Sequence, residues 1–257
     1  MDIVSYNREA WTREVAEGNK WTVPVSPEEI AEAGKGRWSL LLTPTKPVPR
    51  EWFGEVRGKD ILCLASGGGQ QGPVLAAAGA IVTVFDNCPA QLERDDAVAA
   101  REGLVIHLEQ GDMKDLSRFP DGSFDMIFHP VSNIFVDDVR PVWKECHRVL
   151  KKGGVLLAGF VNPILYIFDL EEWDANQKLI VRYKIPYSDI AQLPEELLAK
   201  RIAAKETLEF GHSLEDQIGG QIAAGFAITG FFEDSSGWGD LLDPYINTFI
   251  ATRAAKF

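Results

Sequence analysis

Residues Asp60–Gly72 read DILCLASGGGQQG, an apolar run that breaks abruptly into glycines. A short apolar run ending this way has the pattern of a parallel strand buried on both faces that turns sharply into a helix. Glycines at such a turn let a ligand come up against the backbone with no Cβ in the way. In open α/β sheets, ligands lie at the carboxyl ends of strands, where the strand order reverses. Gly72–Ala78 reads as the helix that follows, and Ala80–Phe85 (AIVTVF) as the next strand.

The same rhythm continues outward. Gln91–Glu102 reads as a helix, Val105–Glu109 and Phe124–Phe128 as strands, Val139–Leu150 as an amphipathic helix, Lys151–Gly154 as a turn and Val155–Phe160 as a fifth strand. Strands alternating with helices at this spacing predict an α/β fold, a parallel sheet with helices on both faces. Upstream, residues 1–50 form an aromatic-rich segment with helices expected at Ser5–Glu17 and Pro27–Ala33, the second capped by Ser26. The Pro-punctuated stretch Thr43–Pro49 links it to the main domain, residues 51–257. Residues 162–210 interrupt the rhythm, with a possible strand at Leu179–Ile185 and a helix at Pro194–Thr207. They read as an inserted cap. A helix at Ser213–Ala224, with Ser213 and Asp216 as capping residues, and strands at Ala227–Glu233 and Thr248–Thr252 complete the pattern.

Composition narrows the function. Of 257 residues, 46% are hydrophobic and 25% charged, as in ordinary globular domains. No apolar run approaches the roughly 18 residues of a membrane span, and MDIVSYNREAW lacks the basic-then-apolar order of a secretory signal. Three cysteines without CxxC spacing argue against a disulfide framework or structural zinc and fit a cytoplasmic location. Four dispersed histidines give no case for a metal. A net charge of −12 disfavours a nucleic-acid substrate, because gripping phosphates takes a basic face. The oligomeric state is not readable.

The second strand ends in Asp86, where a carboxylate can accept from both hydroxyls of a ribose. The glycine loop and Asp86 therefore describe an adenosine-containing ligand without saying which. Gly67-x-Gly69-x-x-Gly72 matches the dinucleotide fingerprint, so an NAD(P)-dependent oxidoreductase stays open on these residues. Glycines serving only a tight turn are the remaining reading.

Later elements separate the candidates. Leu62–Gly69, Asp86–Leu92, Gly111-Asp112-Met113, Phe119–Phe128 (with PDGSFD) and Arg148–Gly154 (RVLKKGG) occur in this order. In that order and spacing the chain resembles class I S-adenosylmethionine-dependent methyltransferases, particularly the family related to the ubiquinone and menaquinone methyltransferases. The resemblance runs from about Asp60 to Phe160. It implies a Rossmann-like, seven-stranded, mostly parallel sheet ending in an antiparallel strand pair, with S-adenosyl-L-methionine as cofactor. It also implies that Gly67 and Gly69 pass the methionine part of the cofactor, with Ala65, Ser66 and Gln70 in the same loop. Asp86 would hold the ribose, beside Asn87, Gln91 and Leu92; Asp112 would accept from the adenine amine and Met113 would pack on the ring. Two positions depart from the family pattern: Cys63 stands where an acidic residue is usual, and Ala65 where glycine is. The departures keep a non-catalytic S-adenosylmethionine-binding homologue open.

Methyl transfer from a sulfonium needs alignment and exclusion of water, and in some cases a base. His129, at the end of the fourth strand, is the candidate base and a candidate cofactor contact; Asn133 in the same loop is a candidate for orienting the acceptor. Tyr6 and Trp11, on the first helix, are candidates for roofing the cofactor. The insert's Tyr166, Phe168, Trp173, Tyr183 and Tyr187 could furnish an aromatic pocket for a small-molecule acceptor.

Overall fold

A computed structural model describes residues 1–257. The chain opens with helix α1 (Ile3–Glu17), whose first free N–H groups, on Val4 and Ser5, are taken up by the Asp2 carboxylate. Helix α2 (Pro27–Gly34) starts from a capping box in which Ser26 and Glu29 bond each other's backbone N–H. A short turn of helix, α3 (Arg50–Phe53), leads into strand β1 (Asp60–Leu64). Then follow α4 (Gln71–Ala77), β2 (Ile81–Asp86), α5 (Pro89–Glu102), β3 (Ile106–Gln110), β4 (Phe124–His129), α6 (Arg140–Val149) and β5 (Leu150–Val161). The insert contains α7 (Leu170–Asn176), β6 (Tyr187–Ser188), α8 (Asp189–Gln192), α9 (Glu195–Ala203) and β7 (Phe210–Gly211). Helix α10 (Gly220–Ala223) and strands β8 (Ala227–Asp234) and β9 (Phe249–Ala255) close the chain.

The seven long strands run in the order β3-β2-β1-β4-β5-β9-β8. All neighbours are parallel except the pairs made by β9, which runs antiparallel between β5 and β8. The direction of winding reverses between β1 and β4, so a crevice opens at their carboxyl ends. Alternation along the strands feeds two cores. Ile61, Cys63, Val82, Val84 and Phe128 face α2, α4 and the N-terminal segment. Leu62, Leu64, Ile127, Leu156 and Ala158 face α6 and the fully buried Trp143.

The first fifty residues are part of this packing. Ile30, Ala33, Leu40, Leu42 and Val48 belong to the first core, so the segment shares a core with the sheet. Leu42 lies directly on β5, where a Cβ at Gly159 would stand 2.1 Å from the Leu42 carbonyl oxygen. The strap is anchored again at its far end, where Asp234 accepts from Thr43 Oγ1 and from the Thr45 and Lys46 N–H groups.

The insert differs from expectation. No strand forms over Leu179–Ile185. Leu179, Ile180 and Val181 are exposed, and the segment makes only one bridge, between Phe168 and Val181, since no sheet edge lies beside it. The only strands here are the two-residue pair β6 and β7. Helix α9 stops at Ala203, with Lys205 in a left-handed conformation (φ 53°). The helix expected over Ser213–Ala224 begins as a π-turn at Glu215–Gly219, with Ser213 Oγ accepting from the Asp216 N–H at its start. The Lys151–Gly154 turn falls inside β5, beside a register shift opposite Phe124 and Met126.

Replacing Gly159 with Ala drives a methyl group into the strap. We expect a loss of about 1–3 kcal/mol of stability, measured by urea unfolding; an unchanged midpoint contradicts the contact.

Candidate active site

A cavity of about 450 Å³ occupies the crevice, within the range of small-ligand sites. Its floor comes from the strand ends: Ala65, Ser66 and Gly67 after β1, Asp86 and Asn87 after β2, Gly111–Met113 after β3, and Pro130–Ser132 after β4. The N-terminal segment covers it with Val4, Asn7, Trp11, Glu14, Asn19 and Trp21, and the strap adds Leu41–Pro44. Val161, Leu165, Tyr166, Thr207 and Glu209 contribute from β5 and the insert, and Trp238 and Phe249 from the C-terminal end.

The glycine loop is held by two carboxylates. Asp86 Oδ2 accepts from the Gly67 N–H at 2.9 Å while Oδ1 accepts from Cys88 N–H at 2.9 Å. Burial pushes the Asp86 carboxyl above its ordinary range, and these backbone donors oppose the rise. The second clamp is Asp95, fully buried on α5, whose Oδ2 accepts from the Gly68 N–H at 3.0 Å. Gly68 needs its missing side chain: its φ is +121°, and a Cβ would lie 2.6 Å from the Trp21 carbonyl oxygen. Ala65, at the glycine position of the family pattern, sits at φ 47° and is fixed by its N–H donating to the Phe85 carbonyl at 2.7 Å.

Asp95 was not singled out in the sequence, although a signal was there. It lies one helical turn after Gln91, which itself lines the cavity, so both point at the loop. It is the carboxylate beside Cys63, the position where the family has its acid; burial pushes the Cys63 thiol up, and Asp95 adds to the rise.

Most expected cofactor residues meet at the cavity: Ala65, Ser66, Gly67, Gln70, Asp86, Asn87, Gln91, Asp112, Met113 and Trp11 all line it. Asp112 uses Oδ1 to accept from the Lys114 N–H and leaves Oδ2 without a protein partner. Trp11 meets Phe135 edge to face at 5.3 Å, both at the cavity wall. Gly69 is turned away, with a Cβ there meeting Arg94 and Pro24, and Leu92 packs into the first core. Tyr6 also lies off the cavity: its hydroxyl donates to the Glu206 carbonyl at 2.9 Å, joining α1 to the insert. Asn7, one residue on, does both jobs. It lines the cavity, donates to the Phe135 and Leu208 carbonyls, and accepts from the Leu208 N–H.

His129 and Asn133 do not stand where a base or an acceptor-orienting group must. The His129 ring is fully buried on the far side of β4, edge to face with Trp143, because strand alternation carries it toward α6. Its Nδ1–H donates to the Leu64 carbonyl at 2.9 Å, and burial pushes its pKa down to about 4. The ring is therefore neutral and sealed from the cavity. Asn133 is likewise buried, its amide exchanging two hydrogen bonds with Gln217. Of the insert's aromatics, only Tyr166 reaches the cavity; Tyr187 stacks behind it, Tyr183 packs on Tyr187, and Phe168 pairs with Trp173.

Four carboxylates, on Glu14, Asp86, Asp112 and Glu209, line the cavity, and no lysine, arginine or histidine does. At its rim, Lys20 Nζ lies 4.6 Å from the Trp21 ring and 4.4 Å from that of Trp238, joining the N-terminal segment to the β8–β9 connection.

This sheet order, glycine turn and run of strand-end carboxylates define a class I S-adenosylmethionine-dependent methyltransferase. Residues 62–158 match the family model described as a methyltransferase domain. The chain belongs to this family. It is 54% identical over 254 residues to the uncharacterized methyltransferase YbaJ of Bacillus subtilis, covering 99% of this chain and 98% of that protein. Among solved structures, an S-adenosylmethionine-dependent methyltransferase from Mesorhizobium loti shares the fold with a TM-score of 0.62 at 20% identity. That match covers 80% of this chain and 94% of the other. A Listeria monocytogenes structure gives 0.60 at 15% identity, covering 81% and 95%. No helix is long and apolar enough to cross a membrane.

Asp95 predicts a pH dependence of stability. Burial pushes its carboxyl up to about 7, above the roughly 3.9 of an unfolded chain. Between those values the folded state binds more protons, so the stability Asp95 contributes is complete below about pH 4 and lost as pH rises through about 7. Thermal unfolding from pH 4 to 8 should show a flatter profile for Asp95→Asn than for wild type; parallel profiles contradict the assignment.

Proposed function

We propose that this methyltransferase carries a methyl group to a small, largely apolar acceptor that is neutral or cationic. The observation behind this is the cavity lining. Its charged side chains are all acidic, and its wall beyond the strand ends is apolar, from Leu41, Val131, Ile134, Val161, Leu165 and Phe249. A carboxylate- or phosphate-bearing acceptor would meet no cationic side chain in the lining, at a large desolvation cost. The cover of N-terminal segment, strap and insert leaves space for a small molecule rather than a polymer, and the net charge of −12 repels nucleic acid.

S-adenosylmethionine supplies the electrophilic methyl when bound. On this reading Asp86 holds the two ribose hydroxyls, which replace the water its partly satisfied oxygens would otherwise take. The free Oδ2 of Asp112 accepts from the adenine amine while Met113 lies against the ring. Gly67 brings its backbone to the cavity floor, its missing side chain making room for Gln91 and Asp86. Residues 1–50 and 162–210 act as the cover that excludes water from the transfer, with Asn7 fastening one to the other.

Two measurements test the reading. Calorimetry with S-adenosylhomocysteine should show Asp86→Ala weakening binding by about 10- to 100-fold, the worth of hydrogen bonds to a charged group; unchanged affinity removes Asp86 from the site. Incubation with labelled methyl donor and separate lipophilic, RNA and protein fractions of a cell extract should place label in the lipophilic small-molecule fraction. Label confined to RNA or protein contradicts a small-molecule acceptor.

A further inference from the structure

On the insert's side of the cavity, the wall carries a polar pair set among apolar residues. Tyr166, from the 3₁₀ turn Pro163–Ile167, donates its hydroxyl to Glu209 Oε2 at 2.8 Å, and both residues line the cavity. The other carboxylate oxygen, Glu209 Oε1, has no partner in the protein. Around the pair the wall is apolar, with Ile134, Val161 and Phe249 packed on Tyr166.

The pair is braced from behind. The Tyr166 ring stacks on Tyr187 at 5.2 Å and presses on Gly211, where a Cβ would come within 2.6 Å of the ring. Tyr187 donates to Asp189 Oδ1, and Asp189 Oδ2 accepts from both Arg201 and the Glu209 N–H. Arg201, the nearest cation, is thus committed to Asp189, with Glu206 at 3.4 Å. The Glu209 side chain keeps its position without a direct cationic partner. A carboxylate set this way in an apolar wall, with one oxygen fixed and one free, suits a donor group on a ligand.

We propose that Glu209 Oε1 receives the donor hydrogen of the acceptor, an apolar molecule bearing a hydroxyl, and takes its proton during transfer, with Tyr166 as the positioning residue. This rests on the methyl-transfer reading and deepens it. The acceptor's O–H proton passes to Glu209 as a lone pair of that oxygen forms the new O–CH₃ bond. The electron pair of the breaking S–CH₃ bond stays on sulfur, so the sulfonium's positive charge and the carboxylate's negative charge disappear together. Burial raises the Glu209 carboxyl above its ordinary range, against the opposing effects of the Tyr166 hydrogen bond and the Arg201 charge. A raised value makes the carboxylate a better proton acceptor.

The test uses 2-naphthol, naphthalene and 2-naphthoate as probes, titrated by fluorescence into full-length protein saturated with S-adenosylhomocysteine. Wild type should prefer 2-naphthol to naphthalene by about tenfold or more and bind 2-naphthoate most weakly. Glu209→Leu and Tyr166→Phe should each bring the first ratio to within about threefold, with naphthalene affinity retained. Because the readout is a ratio, a general loosening of the wall does not produce it, and Tyr166→Phe decides the matter if Glu209→Leu does not fold. No preference for 2-naphthol in wild type, or a preference that survives both variants, overturns the inference while S-adenosylhomocysteine binding keeps the methyltransferase reading standing. Failure of wild type to bind S-adenosylhomocysteine overturns both.

Discussion

Two carboxylates, the fully buried Asp95 and the cavity-lining Asp86, hold the turn that follows β1, and the site is arranged around that turn. Consecutive N–H groups, on Gly67 and Gly68, point at Asp86 and Asp95 respectively. Each bond ties the loop to a different element, the end of β2 and the middle of α5, so the loop's shape depends on the sheet and on one helix together. With the loop fixed this way, Ala65, Ser66 and Gly67 form the cavity floor and the N-terminal segment closes down on it, its Trp21 carbonyl touching Gly68. Asp95 sits close to Cys63, the strand position where the family carries its acid, but it is sealed beneath the loop and does not line the cavity.

The cover is continuous with the body. Leu42 rests on Gly159, and the strap's polar groups converge on Asp234. Asn7 ties α1 to both the loop after β4 and the insert. A ligand in the cavity is therefore surrounded by segments from the beginning, the middle and the end of the chain. This gives the cavity two unlike regions. One is made by strand ends and carries the carboxylates of Asp86 and Asp112; the other is apolar, with Glu209 its one charged group besides those at the strand ends and Glu14.

Much of the sheet was legible because its signals are local. Apolar runs such as Asp60–Leu64 and turn residues such as Gly67–Gly69 announce parallel strands without knowledge of neighbours, and Asp86 and Asp112 are placed by position at a strand's end. Side-chain direction was the point of failure. His129 sits at the expected edge, yet strand alternation points its ring into the α6 core, where its Nδ1–H donates to the Leu64 carbonyl. Tyr6 and Asn7 are adjacent on one helix, and only packing against the insert decides that Asn7 faces the cavity. The insert was least legible: Leu179–Val181 has strand-like residues but no edge to join, and the Tyr166–Glu209 pair joins residues 43 apart in sequence. Contacts of that range follow from the tertiary fold alone.

A crystal structure with S-adenosylhomocysteine bound tests the account most directly. We expect the ribose on Asp86, the adenine between Asp112 and Met113, and the sulfur facing the apolar region that ends at Tyr166 and Glu209. A sulfur directed away from that region, or a nucleoside held elsewhere than on Asp86, would contradict it.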